Sequence, residues 1–249
     1  MNKQIIVMTM MISVFVSCKK EDNTDVAISL NVDVDTGNVM AISTPENLLN
    51  PYDSTGYLHN RIVAYLLSCK GNTPPDANVS TQYVLKFYEQ SYGIDLPATF
   101  FATVSSTVNK SRADIQNIIA GCSYDQMLKL KLDSLMQIIN KLSDDNSRYS
   151  VIKTAIAGFE NEIMLDKLLS AEDSEAILKI TSIARFSIYY WMNVFKEPFS
   201  SATFSIKNIV KWIAATTSDI AGAIVSGNDV VYAADCSAYA YDLITYSMP

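Results

Sequence analysis

Apolar positions recur three and four residues apart over most of the chain from residue 57 onward, the spacing that places them on one face of an α-helix. Tyr57 to Cys69 puts Leu58, Ile62, Tyr65 and Leu66 together, and Gly71-Asn72-Thr73-Pro74-Pro75 breaks the pattern. Ser80 to Tyr92 predicts a second helix with Val84, Phe87 and Tyr88 inward and Gly93 as its stop. Pro97 suits the first turn of a third helix running toward Val108, and Arg112 to Ala120 reads as a fourth. Ser123 with Gln126 forms a capping-box pattern ahead of Leu128, Leu132, Leu135, Ile139 and Leu142, and Asp144-Asp145-Asn146 ends that helix. Ile152, Ile156, Phe159 and Ile163 carry another helix to Leu169, after which Ser170 and Asp173 look like the cap of the next.

That next helix, Ala171 to Glu197, is apolar or aromatic nearly all round from Ile183 to Phe195, as a central helix surrounded by others should be. Pro198 ends it, and Arg185 and Lys196 leave the uncharged run too short to span a membrane. Phe204 to Pro249 holds two more helical patterns built on small residues, among them Ala215, Ala221, Gly222, Ala233 and Ala238, which suits closely packed helices. Asp219, Asp229, Asp235 and Asp242 interrupt the apolar surface of this pair. No fixed-period repeat is present, so a solenoid is not indicated. The expected fold class is all-α, a helical bundle or irregular helical array of seven to nine helices over residues 51–249.

The N-terminal fifty residues read differently. Lys3 precedes a charge-free run from Ile5 to Val16, the length of a secretory signal rather than of a spanning helix. Ala27 to Asp35 alternates apolar and polar before Gly37, a strand-like pattern with no partner strand, and is expected to be part of an extended tether. The signal run ends in Phe15-Val16-Ser17-Cys18, which resembles the lipobox of bacterial lipoproteins, although Phe15 stands where that family usually has Leu. The resemblance implies cleavage after Ser17, lipidation of Cys18, a signal peptide over 1–17 and a lipidated tether over 18–50. Several acyl chains on one cysteine would make the membrane attachment firm. Cys18-Lys19-Lys20-Glu21-Asp22 resembles the surface-export signal of Bacteroidota lipoproteins, with Lys20, Glu21 and Asp22 as its elements. It implies an outer-membrane address facing outward; the alternative is a plain charged linker facing the periplasm.

Composition narrows the function classes. At 249 residues and 49% hydrophobic, the chain can bury one substantial core without disulfides. A formal charge of −7, or −8 once Lys3 leaves with the signal, gives no electrostatic footprint for nucleic acid and matches anionic headgroups poorly. With Cys18 assigned to lipid, Cys69, Cys122 and Cys236 are an odd number, so at most one disulfide can form among them, and none has CxxC spacing. Three buried thiols acting as small hydrophobes is the simplest reading.

Candidate chemistry centres on Asn50-Pro51-Tyr52-Asp53-Ser54-Thr55-Gly56-Tyr57-Leu58-His59-Asn60, which resembles a pattern near the start of the mature region in uncharacterised Bacteroidota lipoproteins and implies no activity. Asp53, His59 and Asn60 are either helix-capping residues or the start of a site. His59 is the single histidine, and a folded-back Asp53 could pair with it as an acid–base dyad. Cys69 lies ten residues on, roughly 15 Å by helical rise, too far to serve His59 directly as a nucleophile. No metal or cofactor is expected. Asn31 to Gly37 faintly resembles a calcium loop, but the twelfth position is Ile42 instead of Glu. No phosphate-binding glycine loop or Gly-x-Ser-x-Gly occurs. Trp212, Tyr52 and Tyr149 are candidates for exposed glycan contacts, whereas Trp191 is expected in the core. The leading expectation is a non-enzymatic, surface-anchored binding module with an extracellular or envelope protein or glycan as partner. The alternatives are a hydrolase-like enzyme using Asp53 and His59, and a membrane-active antibacterial effector built on the small-residue helices.

Overall fold

A computed structural model describes residues 44–69, 76–93, 99, 102–195 and 205–247. The described residues form eight helices and no strand, so the all-α expectation holds: α1 Asp53–Cys69, α2 Ala77–Tyr92, α3 Val104–Gly121, α4 Gln126–Asp144, α5 Tyr149–Leu165, α6 Ala171–Val194, α7 Ile206–Val225 and α8 Val230–Ser247. The signal run, Cys18, Lys20, Glu21, Asp22, the Ala27–Asp35 pattern, the 71–75 break, Pro97 and Pro198 lie outside the described residues.

Local chemistry sets the boundaries. Asp76 accepts from Asn78 N and starts α2 three residues before Ser80, while Gly93, at φ 65°, ends it. α4 begins on Asp125, whose carboxylate accepts from Leu128 N at 2.8 Å, in place of the expected Ser123 cap. α5 stops at Leu165, four residues short of Leu169, because Asp166 turns the chain. Ser170 caps α6 by accepting from Asp173 N at 3.0 Å, as the sequence pattern predicts. The expected third and fourth helices are one element, α3, broken at Asp114 (φ −166°, ψ 103°). There the Asp114 carboxylate accepts from Gln116 N and Asn117 Nδ2, both at 2.9 Å, and so caps the second half.

The bundle is organised around α6 and α7. α6 packs on α1, α4, α5 and α7; α7 also packs on α3 and α8, and α8 covers α1, α2 and α3. The central position predicted for α6 is matched by burial of every residue from Ile180 to Ile188. Each fully buried Leu or Ile contributes about 1.5–3 kcal/mol relative to exposure, and the core contains many, including Ile62, Leu66, Leu132, Ile156 and Ile183. Small residues bring α7 and α8 together: a Cβ at Gly222 would lie 2.8 Å from Ala233 Cα. Asp219 and Asp235 do not interrupt an outer surface; both are fully buried. Trp212 is only 1% exposed and therefore offers no glycan platform.

Candidate functional site

The Asn50–Asn60 segment is tied to α5 and α6 at Asn50, Tyr52, Asp53, Gly56 and Asn60. The Asn50 side-chain oxygen accepts from Tyr52 N at 2.8 Å, with Pro51 between, which starts the chain into α1. The Asn50 amide donates to Glu160 Oε1 at 2.8 Å and to the Leu178 carbonyl at 2.9 Å. Asn47 donates to the other Glu160 oxygen at 2.6 Å. Residues 45–50 thus already belong to the packed domain. Tyr52 OH donates to Glu175 at 3.1 Å, Gly56 N to Ser182 Oγ at 3.0 Å and Asn60 Nδ2 to the Phe186 carbonyl at 2.8 Å. A Cβ on Gly56 would come within 2.5 Å of both Phe186 and the Ser182 carbonyl, so glycine is what lets α1 approach α6 this closely.

Arg185 closes this network. Its Nε donates to both Glu160 oxygens at 3.1 Å, Nη1 donates to the Pro45 carbonyl and Nη2 pairs with Asp53. Arg185 and Glu160 are wholly buried, and Asp53 is largely so. Such ions are tolerated away from water because every one is paired and hydrogen-bonded. Asp53 therefore serves as the partner of Arg185, and the Asp53–His59 dyad is not formed.

His59 faces a different carboxylate. Its Nδ1 is 3.1 Å from Asn60 Oδ1, and its Nε2, which has no hydrogen-bond partner, is 3.7 Å from Asp219 Oδ2 on α7. Asp219 Oδ2 accepts from Ser187 Oγ at 2.5 Å and from Trp191 Nε1 at 3.1 Å. Burial lowers the imidazole to about 4, with Asn60 and the Ala233 backbone opposing the shift. Burial raises the Asp219 carboxyl to about 7 against the hydrogen bonds of Ser187, Ser237 and Trp191. Both shifts are caused by burial, and each favours the uncharged form of its group.

Serine, aspartate and histidine are the residue types of a hydrolytic triad, but the order of contacts is wrong for one. Asp219 stands between Ser187 and His59, so the imidazole does not face the hydroxyl whose proton it would remove. All three are 0% exposed, which leaves no approach for a substrate. The arrangement joins α1, α6 and α7 across the core; Thr81 Oγ1 to Asp235 at 2.7 Å does the same for α2 and α8. Glu160, Ser187 and Asp219 were not singled out from the sequence as partners. The usable signal was the presence of Arg185 and Asp219 within apolar helical stretches, since a charge placed there requires a partner.

Away from these networks, a cleft of about 530 Å³ runs along the broken α3 to the end of α7. Thr107, Lys110, Asn117, Ile118, Ser123 and Val225 are among its walls, a mixture of hydroxyl, amide, ammonium and aliphatic surface. The three cysteines are all free: Cys236 is buried, whereas Cys69 and Cys122 are only partly covered, which corrects the expectation of three buried thiols. Among the described residues no three His, Cys, Asp or Glu side chains are grouped to hold a metal, and no helix is long and apolar enough to cross a membrane. Comparison with protein-family models, with characterised proteins and with solved structures found no match for this chain.

Proposed function

We propose that this chain is a lipid-anchored, outward-facing binding module, held to the outer membrane through Cys18 and exported by the Lys20-Glu21-Asp22 element. The observation that carries the non-enzymatic part is the use made of its acid–base side chains. Asp53 neutralises Arg185, and His59 is sealed at 0% exposure beside Asp219. Both act as structural members that lock α1 onto the bundle. The cleft along α3 is the natural place for a partner, because polar groups from both halves of α3 and from the α3–α4 connection line it.

The address is tested by protease treatment of intact cells expressing the native chain beside a Lys20→Ala/Glu21→Ala/Asp22→Ala variant. The expected result is cleavage of the native protein alone. Protection of both, with both still membrane-bound, would place the domain in the periplasm. The binding-module reading is tested by screening the purified domain against glycans, peptides and esters. Turnover that disappears in both Asp53→Asn and His59→Gln variants, with folding intact, would replace it by the hydrolase reading.

A further inference from the structure

Both halves of the broken α3 line the cleft of about 530 Å³, together with the start of the α3–α4 connection and the end of α7. That volume falls within the range of about 300–1,000 Å³ typical of ligand sites. The cleft is long: Thr103 and Ser123 stand 20 residues apart, about 30 Å on a straight helix, a span that the break at Asp114 shortens. A cleft of this form suits a chain-like ligand better than a single compact ring.

Charge narrows the ligand class. The chain has 26 acidic against 19 basic side chains, yet among the described residues lining the cleft Lys110 is the one charged group and no carboxylate is present. Lys110 is exposed and makes no ion pair with a described residue. The acidic residue nearest to it in sequence, Asp114, directs its carboxylate to Gln116 N and Asn117 Nδ2, both at 2.9 Å. An ammonium left in this way is a receptor for one anionic group. Repulsion from the rest of the acidic surface is screened beyond about 8 Å at physiological salt, so the local charge decides.

The remaining walls are uncharged and hydroxyl-rich. Thr103 and Thr107 Oγ1 lie 2.6 and 3.0 Å from Tyr232 OH, which fixes both side chains and leaves each a free lone pair. Asn117 gives one amide hydrogen to Asp114 and keeps its carbonyl oxygen as an acceptor. Ile118 and Ile224, 8% and 3% exposed, add aliphatic surface. A peptide strand would find little here, because the walls are helices whose backbone groups are already paired, which leaves no edge for main-chain addition. Sugar rings need side-chain hydroxyls, an amide and an apolar surface for their C–H faces, and the cleft supplies all three.

We infer that the cleft binds a short oligosaccharide bearing an isolated hexuronic acid, with the carboxylate on Lys110, neighbouring hydroxyls on Thr103 and Asn117, and C–H faces on Ile118 and Ile224. The inference rests on the binding-module reading above and names its ligand class.

The test titrates the Cys18→Ser chain, followed by amide resonances, with a tetrasaccharide alternating glucuronate and N-acetylglucosamine. Chitotetraose is the neutral control of equal length and tetraglutamate the acidic peptide. The acidic sugar should shift the amides of Ser106, Lys110, Asn117 and Ser123, and should slow iodoacetamide labelling of Cys122, which also lines the cleft, while leaving Cys69 unchanged. Lys110→Gln should weaken it about fivefold, the factor for one partly exposed ion pair, and Lys110→Arg should not. A Cβ at Gly121 meets nothing within 4 Å, so Gly121→Leu adds bulk to the cleft without a backbone clash and should weaken the same sugar. No binding of the acidic tetrasaccharide overturns the inference, as does equal affinity for chitotetraose or for the Lys110→Gln protein. Tighter binding of tetraglutamate at the same amides overturns it in favour of an acidic peptide and leaves the binding-module reading standing. Release of shorter sugars from the tetrasaccharide would do the reverse, keeping the ligand class and removing the non-enzymatic reading.

Discussion

Arg185 reaches both carboxylate oxygens of Glu160 through a single nitrogen, at 3.1 Å each, with neither side chain exposed to solvent. This contact joins α5 to α6, and its surroundings join both to the start of α1 through Asn47, Asn50, Asp53 and Pro45. Removing one member leaves the others charged and dry. Arg185→Met is expected to cost about 3–5 kcal/mol of unfolding free energy by urea titration. Glu160→Gln should cost less, since Gln keeps an acceptor and Asp53 still balances the guanidinium. In a double-variant cycle the pair should show a coupling of about 1–3 kcal/mol. Additive losses would mean that Arg185 and Glu160 act independently.

Two glycines in helices predict opposite outcomes for the same substitution. Gly56→Ala forces a methyl against Phe186 and Ser182, and overpacking of that kind costs about 1–3 kcal/mol despite the better helix propensity of alanine. A methyl added to Gly158 on α5 would meet nothing within 4 Å, so Gly158→Ala should stabilise by about 0.5–1 kcal/mol. Melting curves of the two variants beside the parent decide both; a stable Gly56→Ala protein would mean α1 can shift off α6 at little cost.

Helical periodicity was sufficient to find all eight helices, because each buries a face whose spacing is local information. Boundaries were less legible where two polar residues competed for one cap: Asp125 prevailed over Ser123, and Asp114 turned two expected helices into one broken element. The site was less legible still. Asn50, Asp53 and His59 stood out by type and spacing, but their partners Glu160, Leu178, Arg185 and Asp219 lie 110 to 160 residues away, and no local pattern links them. Trp212 shows the same limit from the other side: its neighbours in sequence include Lys207 and Lys211, yet α7 turns it inward to 1% exposure.

The thiols separate by environment. Cys236 is fully buried between α7 and α8, and burial with Asp235 and Asp219 nearby pushes its thiol well up, so thiolate is scarce there. In a Cys18→Ser chain, iodoacetamide at pH 8 should label Cys69 and Cys122 and leave Cys236 untouched until denaturant is added, as read by peptide mass. Labelling of Cys236 under native conditions would show that the α7–α8 contact at Gly222 opens.

Stability against pH is governed in part by His59 and Asp219, whose shifts act in opposite directions. His59 falls from 6.5 to about 4 on folding, so its contribution is fully present above pH 6.5 and is lost as pH drops toward 4. Asp219 rises from 3.8 to about 7, so its contribution is present below pH 3.8 and is lost as pH climbs toward 7. Between pH 4 and 6.5 the two slopes offset each other, and the parent should show little pH dependence from this pair. Asp219→Asn keeps acceptors for Ser187 and Trp191 but does not ionise, which leaves the histidine slope alone. That variant should gain stability as pH rises from 4 to 6.5, by a few kcal/mol at about 1.4 kcal/mol for each tenfold change in proton affinity, and should exceed the parent most above pH 7. Urea titrations of both proteins at pH 4.5, 6 and 8 measure it. Parallel curves for parent and variant would mean that the Asp219 carboxyl holds no more proton in the folded than in the unfolded chain over this range, against the upward shift that its burial gives.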